Sequence, residues 1–198
     1  MSDPLSLYRL IADGFEARLI AAPKSAWANA SPCPGWSAAY IPGHVVGVAR
    51  SYLAVADTGI APDGLPAYAQ DMADRGQAAV DAAGGGLEAF RALRAEVEAR
   101  LADPTQVGIP VATPFGELPL AAVAAFVHGG DMLAHTWDFA RAVGGDEKLD
   151  EDAAAAILEV WGPLDAGLRT PGVCGPRIDV PADADPATRF VAFTGRQP

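Results

Sequence analysis

Apolar residues recur at intervals of three and four along most of this chain, in runs separated by proline and glycine clusters. A chain with that period hides its hydrophobic surface by packing helix on helix. The first run, Leu5, Tyr8, Ile11, Phe15 and Leu19, opens behind Asp3 and Pro4. That pair reads as an N-cap with proline at the first helical position, and Pro23 ends the run. A second run holds Ile41, His44, Val45, Val48 and Tyr52; its start is open between an N-cap at Ser37 and a point nearer Ile41, since Pro42 would remove one hydrogen bond from the longer helix. A third helical stretch, about 67–82, is broken by Gly84 to Gly86, and a fourth follows over 87–101. The segment 104–119 has four prolines, two glycines and several β-branched residues, so it reads as a loop or short hairpin. A long helix closed by Gly144 and Gly145 comes next, then one over about 151–168 behind a cluster of acids. Residues 177–180 and 189–193 read as two short strand-like pieces.

The expected fold class is therefore mainly all-α, a four-helix bundle with a hairpin or loop insertion and a small C-terminal extension. We place the bundle at 1–170 and the extension, packed on the same domain, at 171–198. No alternation of strands and helices suggests a dinucleotide-binding sheet, and "GGGLEAF" lacks both the GxGxxG spacing and a preceding strand. A net charge of −11 argues against a nucleic-acid partner. No apolar run reaches the roughly 20 residues of a membrane span. The expected location is cytoplasmic, with Cys33 and Cys174 as free thiols, too few for a disulfide scaffold.

The long helix carries "HGGDMLAHTWDFARAVGG", which contains two of the chain's three histidines. His128, Asp131, His135 and Asp138 are three, four and three residues apart, so they share one stripe of a helix. Asp131 and His135, at i and i+4, can point at one atom, as the paired histidines of helical zinc motifs do. The remaining histidine, His44, is the candidate third ligand, leaving one open position of the kind catalytic zinc sites keep. An alternative reading is a hydrogen-bonded polar cluster without metal. Gly129 and Gly130 each cost about 1 kcal/mol relative to alanine inside a helix. They mark a broken local rule beside the stripe, although glycines also serve close helix packing.

Three motifs then carry a resemblance. "SPCPGWSAAYIPGHVVG" resembles the PC-x-x-W-[ST] … L-x-x-H-x-x-G signature of the DinB-like (YfiT-like) metal-binding four-helix bundles. "DMLAHTWDFARAVG" resembles the [ED]-x-x-x-H-x-W-D-[LI]-A-x-A-x-G element of the branch related to mycothiol-dependent maleylpyruvate isomerase, and "RFVAFTGRQP" resembles that branch's C-terminus. The resemblance implies an antiparallel bundle with a divalent metal held by His44, Asp131 and His135. The isomerase pattern has glutamate where this chain has Asp131. Zinc is the default ion and nickel the runner-up. Around the ligands, Asp138 is read as an acceptor for a ligand imidazole or as a helix-surface partner. His128 is read as a supporting group or a bystander, Trp137 as packing, and Arg196 as a contact for an anionic substrate. Cys33 is read as a small residue of a proline-rich turn, in preference to a nucleophile.

The implied chemistry is a metal-dependent transferase or isomerase that uses mycothiol, a low-molecular-weight thiol, as cosubstrate for a small electrophile. The resemblance and the alanine- and glycine-heavy composition together suit an actinobacterial source. A non-catalytic small-ligand or metal-binding protein is the alternative, and a metal-dependent hydrolase a third reading. The oligomeric state, monomer or homodimer, is left open.

Overall fold

The computed structural model describes residues 3–170 and 172–198. Among them lie seven helices: α1 (Pro4–Ala21), α2 (Tyr40–Thr58), α3 (Gly64–Ala83), α4 (Gly86–Ala102), α5, α6 (Glu151–Trp161) and α7 (Pro186–Phe193). Helix α5 is continuous in backbone conformation but not in hydrogen bonding. Leu120–Ala122 leads into a π-helical stretch, Val123–His128, and then into the regular Gly129–Val143. Between α4 and α5, strands β1 (Pro110–Thr113) and β2 (Gly116–Pro119) form an antiparallel hairpin in the segment expected to hold one, with Val111 opposite Leu118.

Helices α1, α2, α4 and α5 enclose the core, an all-α bundle as the apolar period predicts. Tyr8, Phe15, Phe90 and Phe139 are fully buried there, with Phe15 edge-on to Phe90 at a centroid distance of 4.9 Å. Helices α2 and α5 run antiparallel: His44 faces Asp131, Val45 faces His128, and Tyr52 and Leu53 line one small cavity with Val123 and Leu120. Arg94 ties α4 to α1 through Asp13 and Glu16, and Arg100 reaches Asp57 on α2. At 19–21% exposure of these arginine side chains, such pairs contribute only tenths of a kcal/mol to about 1 kcal/mol each.

Several boundaries follow from local chemistry. Pro42 is the third residue of α2, where the missing N–H has no helical acceptor to lose, so the helix starts at Tyr40 without penalty. Gly84, with φ +75°, ends α3 in the left-handed conformation. The helix expected to reach Leu168 stops at Trp161. Gly162 and Pro163 turn it into a 3₁₀ segment, followed by the single turn Asp165–Leu168. The two expected C-terminal strands are corrected. Residues 177–180 form no strand, and 189–193 lie inside α7. The decisive group is Asp185, whose carboxylate caps Thr188 N at 2.9 Å ahead of Pro186. This is the Asp–Pro start signal that also opens α1.

Helix α3 lies against α2 almost backbone to backbone. A Cβ on Gly47 would sit 1.9 Å from the Met72 carbonyl oxygen, and one on Gly76 would sit 2.1 Å from that of Gly43. Because a main-chain atom blocks the space, relief requires moving a helix. We expect Gly47→Ala to lower the unfolding free energy by about 2 kcal/mol despite alanine's better helix propensity. Urea denaturation would read this as a lower midpoint at unchanged slope; an unchanged midpoint would refute the contact.

Candidate metal centre

The site is assembled from three segments. The first is the turn before α2. Pro34 and Gly35 (φ +81°) occupy the central positions of a turn closed by Trp36 N–H donating to Cys33 O at 3.0 Å, the residue pattern of a type II turn. An Ala30–Ser37 bridge closes the loop behind it, and Asn29 Nδ2 donates to the Ala142 carbonyl at 3.0 Å, tying it to α5. The second segment is the first turn and a half of α2, which presents His44. The third is α5 after its π-helical stretch. The glycines there serve packing. A Cβ on Gly130 would come within 2.2 Å of Trp161 Cζ2, and the Trp161 indole N–H donates to Phe126 O at 2.9 Å.

Regular helix from Gly129 onward places Asp131 and His135 one turn apart, facing His44. The Nε2 atoms of His44 and His135 each lie 3.4 Å from the same oxygen, Asp131 Oδ1. All three donor atoms fall within 4.8 Å of one another. A charge-assisted hydrogen bond would close to about 2.7–2.9 Å. By contrast, donors on tetrahedral zinc, with bonds of about 2.0–2.1 Å, stand about 3.3 Å apart. Asp131 Oδ2 is buried with no hydrogen-bond partner. The spacing, the donor types and that unpartnered oxygen all fit a divalent ion. Side-chain exposure of 27% at Asp131, 20% at His44 and 8% at His135 leaves the Asp131–His44 side reachable from solvent.

Behind His135 lies Asp138, whose side chain is fully buried. Its Oδ2 accepts from His135 Nδ1 at 2.8 Å, which orients the ring so that Nε2 faces Asp131 and His44. Arg196 clamps the same carboxylate with two bonds, Nε to Oδ1 at 2.7 Å and Nη2 to Oδ2 at 2.6 Å. The Cys33 thiol donates to Oδ2 at 3.2 Å. Cys33, His135 and Asp138 also have donor atoms close enough to hold an ion. The Arg196 guanidinium already neutralises Asp138, so a second cation would meet repulsion there. The His44–Asp131–His135 group has no such competitor.

Titration behaviour follows the same geometry. Burial alone would raise the Asp131 carboxyl, but the charges of His135 and His44 outweigh it and hold it well below the usual range. Burial likewise works against charge on His135, yet Asp131 and the bonds to Asp138 raise it well above its ordinary value. Asp138 is held far down despite its burial by the bonds from His135 and Arg196. His128 is the opposite case. It is buried without a carboxylate in contact, and desolvation pushes it down to about 4.

The structure thus gathers His44, Asp131, His135, Asp138 and Arg196 in one place. His128 stands one turn away, with Nε2 3.0 Å from the Val45 carbonyl. Trp137 is buried and carries Arg141 over its ring at 4.2 Å. Two features escaped sequence reasoning. Trp36 lies against both histidines, 4.6 Å from the His44 ring and stacked 5.4 Å from the His135 ring, and continues to half-exposed Tyr40 at 4.6 Å. The Arg196–Asp138 clamp was the other. The sequence offered the P-C-x-x-W spacing as a signal for the first; for the second it offered Arg196 and Asp138 separately, with nothing to pair them.

The class is an all-α bundle in which a histidine of one helix meets a carboxylate and a histidine of another at one point. Residues 8–140 match the mycothiol maleylpyruvate isomerase N-terminal domain family, and the chain belongs to that family. Two proteins of Mycobacterium tuberculosis resemble it along almost their whole length. They are uncharacterized protein MT0763 (strain CDC 1551 / Oshkosh) and uncharacterized protein Rv0738 (strain ATCC 25618 / H37Rv). Each is 30% identical over 205 residues, covering 98% of this chain and 98% of the relative. No solved structure matches the chain. Among the described residues, no helix is long and apolar enough to cross a membrane.

Two outcomes are expected here. Asp138→Asn, which weakens the hold on the His135 tautomer, should reduce metal affinity about 10- to 100-fold in a competition titration against a chromophoric chelator. His128 has a folded value near 4 and an unfolded one near 6.5, so the unfolded chain takes up the proton first. Its contribution is complete above pH 6.5 and is lost as pH falls toward 4, by about 3 kcal/mol in all. Unfolding curves of wild type and His128→Phe should therefore differ in slope between those pH values and run parallel above them. Parallel curves throughout would show His128 to be charged or exposed.

Proposed function

We propose that this protein is a divalent-metal-dependent enzyme that uses a low-molecular-weight thiol, mycothiol, to isomerise or modify a small electrophile, with His44, Asp131 and His135 as metal ligands. The observation that carries the reading is the pair of 3.4 Å separations from both histidine Nε2 atoms to Asp131 Oδ1, the spacing of ligands around a zinc-sized ion. Family membership supplies the thiol. When bound, the ion supplies Lewis acidity, favouring thiolate over thiol near neutral pH.

The chain's own residues support that chemistry in distinct ways. Asp138 accepts at Nδ1 and so orients the His135 ring with Nε2 toward Asp131 and His44, the nitrogen that would give up its proton to an ion. Arg196 keeps Asp138 ionised, so the carboxylate orients the imidazole instead of taking its proton. Trp36 covers one side of both imidazoles and excludes water there, while the solvent-facing side of Asp131 and His44 leaves room for thiol and electrophile. One protein carboxylate against a divalent ion leaves net positive charge, which favours a thiolate over a neutral ligand. Zinc suits the His/Asp donor set, with nickel second.

The test is elemental analysis of tag-free protein followed by an assay with thiol and an activated cis double bond, maleylpyruvate being the probe. We expect about one equivalent of metal in wild type, the number one three-ligand site holds, and a large loss in His44→Ala and His135→Ala. Turnover should require both thiol and metal and stop on chelation. Metal binding with turnover that ignores thiol would point to hydrolysis; binding without turnover would make the chain a binding protein.

A further inference from the structure

One buried group in the bundle has no part in that reading. His128 is 1% exposed, and its Nε2 lies 3.0 Å from the Val45 main-chain oxygen. A peptide carbonyl only accepts, so Nε2 carries the proton and Nδ1 is a bare lone pair, buried and unpartnered. The partners matter more than the bond. Val45 follows His44 on α2, and His128 stands one helical turn before Asp131 on α5. Among the described residues, the only other hydrogen bond between these two helices is His44–Asp131 itself. Apart from the edge-on contact of the His44 and His135 rings at 4.8 Å, the buried seam is lined by apolar side chains, whose attraction is not directional.

The π-helical stretch ends at His128, and the regular turn that carries Asp131 begins directly after it. The chain therefore spends an irregular segment, a buried histidine and an unsatisfied nitrogen at the level where its two ligand-bearing helices meet. Burying a polar atom without a partner costs free energy, so a residue kept at that cost merits a role that leucine could not fill.

We propose that His128 is a positioning residue for the metal centre. Through its bond to the Val45 carbonyl it sets the separation and register of α2 against α5, and so the distance from His44 to Asp131 and His135. The proposal rests on the reading of those three side chains as ligands. It makes His128 neither a ligand nor a proton carrier. Its consequence is that the His44 imidazole is held at ligand spacing before an ion arrives, so affinity and geometry at the ion depend on a side chain one turn away from it.

The experiment is cobalt(II) titration of wild type, His128→Phe and His128→Gln, read by the visible d–d absorption that reports coordination geometry. Far-UV circular dichroism on each sample checks the fold. Glutamine places an amide N–H near the position of Nε2 and can reach Val45; phenylalanine fills the volume without a donor. We expect His128→Phe to bind cobalt about 10- to 100-fold more weakly, with an altered spectrum, and His128→Gln to restore most of the affinity and the wild-type spectrum. If His128→Phe does not fold, His128→Asn takes its place, since its amide stops short at the Nδ1 position and should bind as weakly. A purely structural histidine would lower the melting temperature of the variants but leave the folded protein's affinity and spectrum unchanged, and that result overturns the proposal. Wild type that binds no cobalt overturns the metal reading and this proposal together. Wild type that binds one ion as tightly as His128→Phe overturns only this one.

Discussion

A carboxylate with no exposed surface has to be paired, and Asp138 is paired from three directions at once. His135 of its own helix, Arg196 of the C-terminal segment and Cys33 of the turn before α2 all direct hydrogen-bond donors at it. Removing one partner of such a buried pair typically costs about 3–5 kcal/mol, because the other charge is left behind. The distant pieces of chain that meet here are therefore held together by one anion. The same anion decides which nitrogen of His135 faces Asp131 and His44. Folding and site geometry share a single electrostatic requirement.

That requirement explains why the C-terminal segment belongs to the site although the family match ends at residue 140. Helix α7 packs on α6 and delivers Arg196 beyond its end, with Arg196 N–H bonded to the Val191 carbonyl at 3.2 Å. Helix α6 in turn depends on α5, where Trp161 fills the space left by Gly130 and caps the Phe126 carbonyl. A line of packing thus runs from the π-helical stretch through Trp161 to the guanidinium that holds Asp138.

Much of this was written in the local sequence. The apolar period located the bundle helices, because a stripe repeating every three to four residues has no other burial geometry. The stripe of His128, Asp131, His135 and Asp138 was legible for the same reason, as was the hairpin from its prolines and glycines. The C-terminal helix was not read, although Asp185 and Pro186 repeat the signal of Asp3 and Pro4. Eight residues with β-branched and aromatic members resemble a strand when the cap is overlooked.

What the sequence by itself determined is the class of fold and the side chains able to share one helical face, since both depend on periodicity within a single segment. What only the tertiary structure decided is who stands opposite. Arg196 is 58 residues from Asp138, Cys33 is 105 residues from it, and Val45 is 83 residues from His128. No local rule spans such separations. The pairings exist because helix packing brings those residues within hydrogen-bond range, where burial makes an unmade bond costly enough to select one partner.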